Sequence, residues 1–200
     1  MKKSVWDRFA PVYSLAMKSQ KHIYDYMYSH ISSAVAGKEM LELATGPGLI
    51  ARQVAGSAKR VVATDFSPKM IEQAMKGQPP ANVSFEIADA ANLRYGDKSF
   101  DVVVIANALH VVPDPVKVLS EIDRVLRDGG MLICPTFIHR AANSKENLWA
   151  KVLKAVGIQF AHQWTADEFR SFIETNGWKI TSCEVVPGRI DLFYAECVRS

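Results

Sequence analysis

The stretch 39-EMLELATGPGLIARQV-54 decides the fold. Apolar residues climb to Leu43, the chain breaks at Gly46-Pro47-Gly48, and helical spacing resumes over 49–55. Seventeen residues past Gly48, Asp65 closes a second apolar run, 60-RVVATD-65. A glycine turn between a strand and a helix, with a carboxylate ending the next strand, is a nucleotide-holding arrangement. Gly46 and Gly48 have no Cβ, so the backbone can turn sharply and approach a ligand closely. A carboxylate at Asp65 can accept two hydrogen bonds from a ribose diol. The bare pattern Gly46-x-Gly48-x-x-Ala51 also fits a dinucleotide fingerprint, so on its own it leaves the nucleotide open.

Outward from this stretch the chain alternates. Strand-like runs at 39–43, 60–65, 83–88, 100–106 and 130–137 are separated mostly by helical patterns. Ser67-Pro68 opens one helix, with serine at the N-cap and proline where its missing N–H is harmless. Asp114-Pro115 repeats that start for 115–127, where Val118, Leu119, Ile122, Val125 and Leu126 form an apolar stripe. Arg124 and Arg127 fall in its expected last turn, and Gly129-Gly130 are expected to stop it. Strands apolar almost throughout, alternating with helices, indicate a parallel sheet covered on both faces, a doubly wound α/β fold with right-handed crossovers.

The tail departs from that rhythm. Thr165-Ala166-Asp167-Glu168 is a capping box for a helix ending near Asn176-Gly177. Two strand-like runs, KITSCEVV and IDLFYAECV, then flank Pro187-Gly188-Arg189. A connection that short permits a hairpin and no parallel crossover. About seven strands are therefore expected, one of them antiparallel near the C-terminus. Residues 1–36, with a helical arm at about 18–36, and an insert at 138–164 are candidate covers for the sheet edge where ligands bind in open α/β folds. Plain packing of the sheet surface is the alternative reading of both.

The 200 residues suit one domain over 1–200, with 48% hydrophobic and 22% charged residues. The net charge of +3 is spread rather than gathered in a stripe, which disfavours a nucleic-acid partner. Cys134, Cys183 and Cys197 lack CxxC spacing and suggest neither an oxidising compartment nor a metal site. No run approaches a membrane span, and the N-terminus is a poor signal peptide, so a cytoplasmic protein is the default expectation. The oligomeric state stays open.

Four segments in order carry a more specific message: LELATGPG, VVATDFSPKMIEQA, FEIADAANLRYGDKSFDVVV and LHVVPDPVKVLSEIDRVLRDGGMLI. Together, over roughly 36–137, they resemble the class I S-adenosylmethionine-dependent methyltransferases, in particular the small-molecule (type 11) group related to quinone biosynthesis. WDRFAPVY near the front is similar to the F-x-x-x-A-x-x-Y opening of that group. The resemblance implies a Rossmann-like fold and methyl transfer from S-adenosylmethionine to a small-molecule acceptor, leaving S-adenosylhomocysteine. By matching position it places Glu42 and the loop Ala44, Thr45, Gly46, Pro47 and Gly48 at the methionine part. Asp65 falls on the ribose hydroxyls, Phe66 against the adenine, Asp89 and Ala90 at the adenine edge, and Asn107 beside the methionine moiety. The group usually has glycine where this chain has Ala44, a change tolerable if the backbone there stays in an ordinary region.

The sulfonium already activates its methyl group, so the protein has mainly to align the acceptor and exclude water. That chemistry asks for no triad and no metal. Tyr13, from its place in the opening motif, is the candidate aromatic face for the sulfonium. His110, after the fourth strand, is the best-placed general base if the acceptor is acidic; His139 follows the fifth, and His22, His30 and His162 lie in the covers. Bland alternatives accompany these readings: a turn residue for Asp65, an Asx turn for Asp89, a strand-end polar group for Asn107, and packing for Tyr13 and His110. Asp101 reads as structural. Two rival functions remain, a non-catalytic cofactor-binding module and a nicotinamide-dependent oxidoreductase, the latter disfavoured by the lack of Tyr-x-x-x-Lys.

Overall fold

The computed structural model describes residues 20–139 and 162–200. The N-terminal WDRFAPVY motif with Tyr13, and most of the 138–164 insert, lie outside the described residues. The elements run α1 (Lys21–Ala34), β1 (Glu39–Leu43), α2 (Leu49–Val54), β2 (Arg60–Asp65), α3 (Pro68–Ala74), β3 (Val83–Ile87), β4 (Phe100–Ile105), α4 (Pro115–Val125), β5 (Leu126–Ile133), β6 (Thr136–Ile138), α5 (Ala166–Thr175), β7 (Trp178–Val186) and β8 (Asp191–Arg199).

The sheet has the order β3-β2-β1-β4-β5-β8-β6, with β7 also paired to β8. β1 to β5 pair in parallel, and β8 runs antiparallel to β5, β6 and β7. This is the Rossmann-like arrangement with its reversal near the C-terminus. The strand expected at 130–137 is in fact two. Pro135 has no N–H to give the ladder, so β5 stops at Ile133 and β6 resumes at Thr136 along the same partner, β8.

Capping works as the sequence suggests. The Ser67 side chain accepts from the Met70 amide and Asp114 from the Lys117 amide, each followed by proline. Thr165 and Glu168 complete a reciprocal capping box. The end of α4 is a correction. The helix stops at Val125, because Leu126 turns straight into the extended conformation and starts β5. Arg127 is thus a strand residue, and Gly129-Gly130 lie inside β5. A Cβ on Gly130 would meet the Arg127 and Asp101 carbonyl oxygens at 2.8 and 3.1 Å. The glycine relieves the irregular register between β4 and β5.

Two apolar layers sandwich the sheet. Leu41, Leu43, Val103, Ile105 and Leu132 face α4 and α5, meeting Leu119, Ile122, Phe169 and Ile173. Met40, Val61, Val102 and Val104 face α1 and α2. In α1 the residues Ile23, Tyr24, Met27 and Ile31 recur at helical spacing and are buried, so the described arm packs on a sheet face. Cys134 and Cys197 are buried in the first layer. No helix among the described residues is long and apolar enough to cross a membrane.

Candidate functional site

The strand order reverses its direction of growth between β1 and β4, and at such a switch point the carboxyl ends of adjacent strands diverge into a crevice. Here a cavity of about 400 Å³ lies at those ends. Its walls are mostly alanine and valine, with Asp65, Asp89, Asn107 and Asp114 as polar points. The size and the mix of apolar wall and few polar groups suit a small organic ligand.

Every cofactor-side residue expected from sequence, except Pro47 and Gly48, lines this cavity or a smaller one beside it. Ala44, Gly46, Asp65, Phe66, Asp89, Ala90 and Asn107 line the larger. Glu42, Ala44, Thr45 and Asn107, with Tyr24 of α1, line the smaller, of about 20 Å³. Gly48 serves the fold behind the loop. It caps α2 at φ 77°, and a Cβ there would lie 2.6 Å from the Phe85 ring.

Asp65 ends β2 at 8% exposure. Its Oδ2 accepts from the Gly46 amide and its Oδ1 from the Ser67 amide, both at 2.8 Å. The carboxyl group therefore ties the glycine turn of β1 to the start of α3 at the crevice. Next to it Phe66 is 64% exposed, an aromatic face bare to solvent at the mouth of an apolar cavity. Across the cavity the Asp89 Oδ1 accepts from the Ala91 amide at 2.9 Å. That is the Asx turn anticipated as its alternative reading, and it leaves the residue on the cavity wall.

The floor of the smaller cavity is unusual. Glu42 Oε2, Thr45 Oγ1 and Asn107 Oδ1 are buried without a hydrogen-bond partner among the described residues. Buried polar atoms are rarely left so, and here three oxygens from two segments, β1 with its following turn and the end of β4, surround one space with room for a single water-sized group. Burial pushes the Glu42 carboxyl up to about 8, against the pull of the Thr45 hydroxyl and the Ala51 amide. Two residues here also hold left-handed backbones, Ala44 and Asn107, each at φ 53°. Asparagine tolerates that region, whereas alanine does so at a cost. The condition for an easily tolerated Ala44, an ordinary backbone, is not met: the turn that places Thr45 and Gly46 needs the conformation that glycine would adopt freely.

His110 is 4% exposed. Burial first, then the charges of His139 and His162, push it down to about 3, so its imidazole is neutral at physiological pH. The His162 amide donates to the His110 carbonyl at 3.1 Å and the His139 amide to Trp164 at 2.9 Å. The fold thereby gathers histidines that the sequence had left apart. A neutral imidazole can accept a proton, but a pKa this far below neutrality gives it little driving force.

Sequence reasoning missed Tyr24 and the wall formed by Val111, Val112 and Pro113. Tyr24 lies in the stretch expected only to be a helical arm. The HVVPDP stretch carried a signal in its helix start, yet nothing local shows that its preceding turn folds over the crevice. Asp101 behaves as the structural residue expected, accepting from the Glu39 amide and from Arg127, each at 2.8 Å.

The chain is similar to known proteins in sequence and in fold. A family model described as a methyltransferase domain matches residues 41–134. A demethylmenaquinone methyltransferase of Paenarthrobacter aurescens is 35% identical over 117 residues, 58% of this chain and 46% of its own length. A 27-O-demethylrifamycin SV methyltransferase of Amycolatopsis mediterranei is 31% identical over 156 residues, 76% of this chain and 57% of its own. Among solved structures, the DhpI–SAH complex superimposes with a TM-score of 0.77 at 21% identity, covering 98% of this chain and 93% of that one. At that identity the likeness establishes the fold. The chain spans about half the length of the curated relatives it matches.

Proposed function

We propose, from the premise that the chain belongs to the class I S-adenosylmethionine-dependent methyltransferases, that it transfers a methyl group from that cofactor to a small quinol-type acceptor. The observation that carries the reading is the trio Glu42 Oε2, Thr45 Oγ1 and Asn107 Oδ1, buried without partners around an ammonium-sized space. An α-ammonium offers three N–H donors to those three oxygens. The neighbouring cavity supplies what a nucleoside needs: the Asp65 carboxylate for a ribose diol and the exposed Phe66 ring for a base. DhpI forms a complex with SAH, and the same cofactor pair fits the donor and acceptor pattern here.

When bound, the cofactor supplies a sulfonium-activated methyl group for in-line displacement. The chain's own residues then hold and align. Glu42, Thr45 and Asn107 fix the aminoacyl end, Asp65 the sugar, and Phe66 with Asp89 and Ala90 the base. The apolar walls at Ala106, Ala108 and Val111 exclude water from the reacting end. Tyr13 is assigned to the sulfonium face by the opening motif alone. His110 is assigned a positioning contact near the acceptor, its neutral ring accepting a hydrogen bond more readily than a full proton.

The names of the demethylmenaquinone and ubiquinone/menaquinone relatives point to a quinone nucleus as acceptor. The test is transfer of labelled methyl from S-adenosylmethionine to a reduced demethylnaphthoquinone, set against amine and thiol acceptors. Product with the quinol alone is the expected result. Tight binding of S-adenosylhomocysteine with no product from any acceptor would instead favour the non-catalytic cofactor-binding module.

A further inference from the structure

Glu42 lies at 2% exposure on the floor of the smaller cavity, and its Oε2 has no hydrogen-bond partner among the described residues. Of the polar atoms nearest it, Asn107 Oδ1 can only accept, while the Thr45 hydroxyl can accept as well as donate. Around it β2 brings the carboxylate of Asp65 and α1 the phenol of Tyr24. The β4 side offers Val104 in register and Asn107 beyond the strand, and α2 offers Ile50 and Ala51. Asp65 is the only charged group in that set, and its charge is negative. Among the described residues, an ionised Glu42 would be a buried anion with no counter-ion and the Asp65 carboxyl nearby, which electrostatics strongly disfavours.

We propose that Glu42 keeps its proton until a cation lies beside it, and gives that proton to solvent when the ammonium of the cofactor arrives. Cofactor uptake is then coupled to proton release. This deepens the reading above and rests on the ammonium subsite assigned there. No covalent bond changes: the carboxyl loses its proton to buffer, and the resulting carboxylate accepts from the incoming N–H. The direction agrees with burial pushing Glu42 up to about 8, Thr45 and the Ala51 amide opposing, and Asp65 adding to the rise.

The coupling is read by titration calorimetry of the full chain with S-adenosylhomocysteine at about pH 6.5, where the ligand's α-amino group is still protonated. Buffers of different ionisation enthalpy are compared. The expected result is a binding heat that tracks the buffer with a slope of about one proton released, and affinity that rises towards tenfold per unit of pH below about 7.5. Glu42→Gln should bind more weakly, with heats independent of buffer. Wild-type binding with heats independent of buffer would overturn the coupling while leaving the cofactor reading intact. A Glu42→Gln variant that retains the buffer dependence would overturn it too, since the proton would come from elsewhere. Should that variant fail to fold, the wild type still decides by infrared difference spectroscopy. A protonated-carboxyl band lost on ligand addition supports the coupling, and an unchanged band overturns it. Absence of binding in every buffer would remove the cofactor reading itself.

Discussion

Glu39 and Glu42 stand on the same strand, three residues apart, and meet opposite surroundings. At the amino end of the sheet, Glu39 is ringed by Lys59 at 3.1 Å, Arg60 at 3.2 Å and Arg127 at 3.3 Å. Lys59 and Arg60, with a smaller share from Arg127, pull its carboxyl down to about 2. At the carboxyl end, Glu42 has no cation beside it among the described residues, and burial pushes it up to about 8. One end of β1 is electrostatically closed, each charge answered by another. The other keeps oxygens without donors and an alanine in a glycine conformation. Polar groups left so inside a folded chain are costly, and they persist where a ligand completes them. The two glutamates thus mark which edge of the sheet is scaffold and which is site.

The largest expected effect is at the site edge. Asp65→Ala removes the acceptor proposed for the ribose hydroxyls, and hydrogen bonds to a charged group are worth about 1.5–3 kcal/mol each. Losing two of them should weaken S-adenosylhomocysteine binding by a hundredfold or more in a calorimetric titration. Unchanged affinity would remove Asp65 from the site and leave it only its contacts with Gly46 and Ser67.

A smaller effect is expected at Ala44. A left-handed L-residue costs about 1–2 kcal/mol, partly offset by the greater unfolded-chain freedom of glycine. Ala44→Gly should therefore raise the melting temperature by a few degrees, as seen by calorimetric unfolding. A fall would mean that the Ala44 methyl contributes packing that outweighs the backbone cost.

The smallest effect belongs to the closed edge. Glu39 is held below its unfolded value, so its ion pairs contribute stability above about pH 4.3, the free carboxyl range. That contribution is lost as pH falls towards about 2. Glu39→Gln should lower the melting temperature slightly at neutral pH and flatten its acid dependence, with cofactor affinity unchanged. Solvent screening keeps the effect small. A clear loss of cofactor affinity in this variant would break the division between the two edges.

Much of the site was legible because it is local. Glu42, Asp65 and Phe66 sit at the ends of strands or one step beyond, where period-two patterning and turn residues fix them. Asp89 and Asn107 follow β3 and β4 in the same way. What escaped is non-local. Tyr24 reaches the smaller cavity only because α1 packs over β1 and α2, and His110 meets His162 through a backbone contact across distant segments. Gly48 was read for closeness to a ligand, and the fold uses it to admit the Phe85 ring. The end of α4 escaped for another reason. Gly129-Gly130 looks like a helix stop in one dimension, yet its glycines answer a register irregularity set by the neighbouring strand.

The sequence by itself determined the alternation of strands and helices, the caps at Ser67, Asp114 and Thr165, and the reversal forced by the short link at 187–189. Each follows from dihedral preferences and hydrogen bonds within a few residues. Only the tertiary structure decided that Glu42 is a buried acid without a counter-ion, that Ala44 and Asn107 share a left-handed conformation, and that Val111 to Pro113 close over the cavity. Those properties depend on what surrounds a group in space, since dielectric and packing are set by neighbours that the order of residues does not bring together.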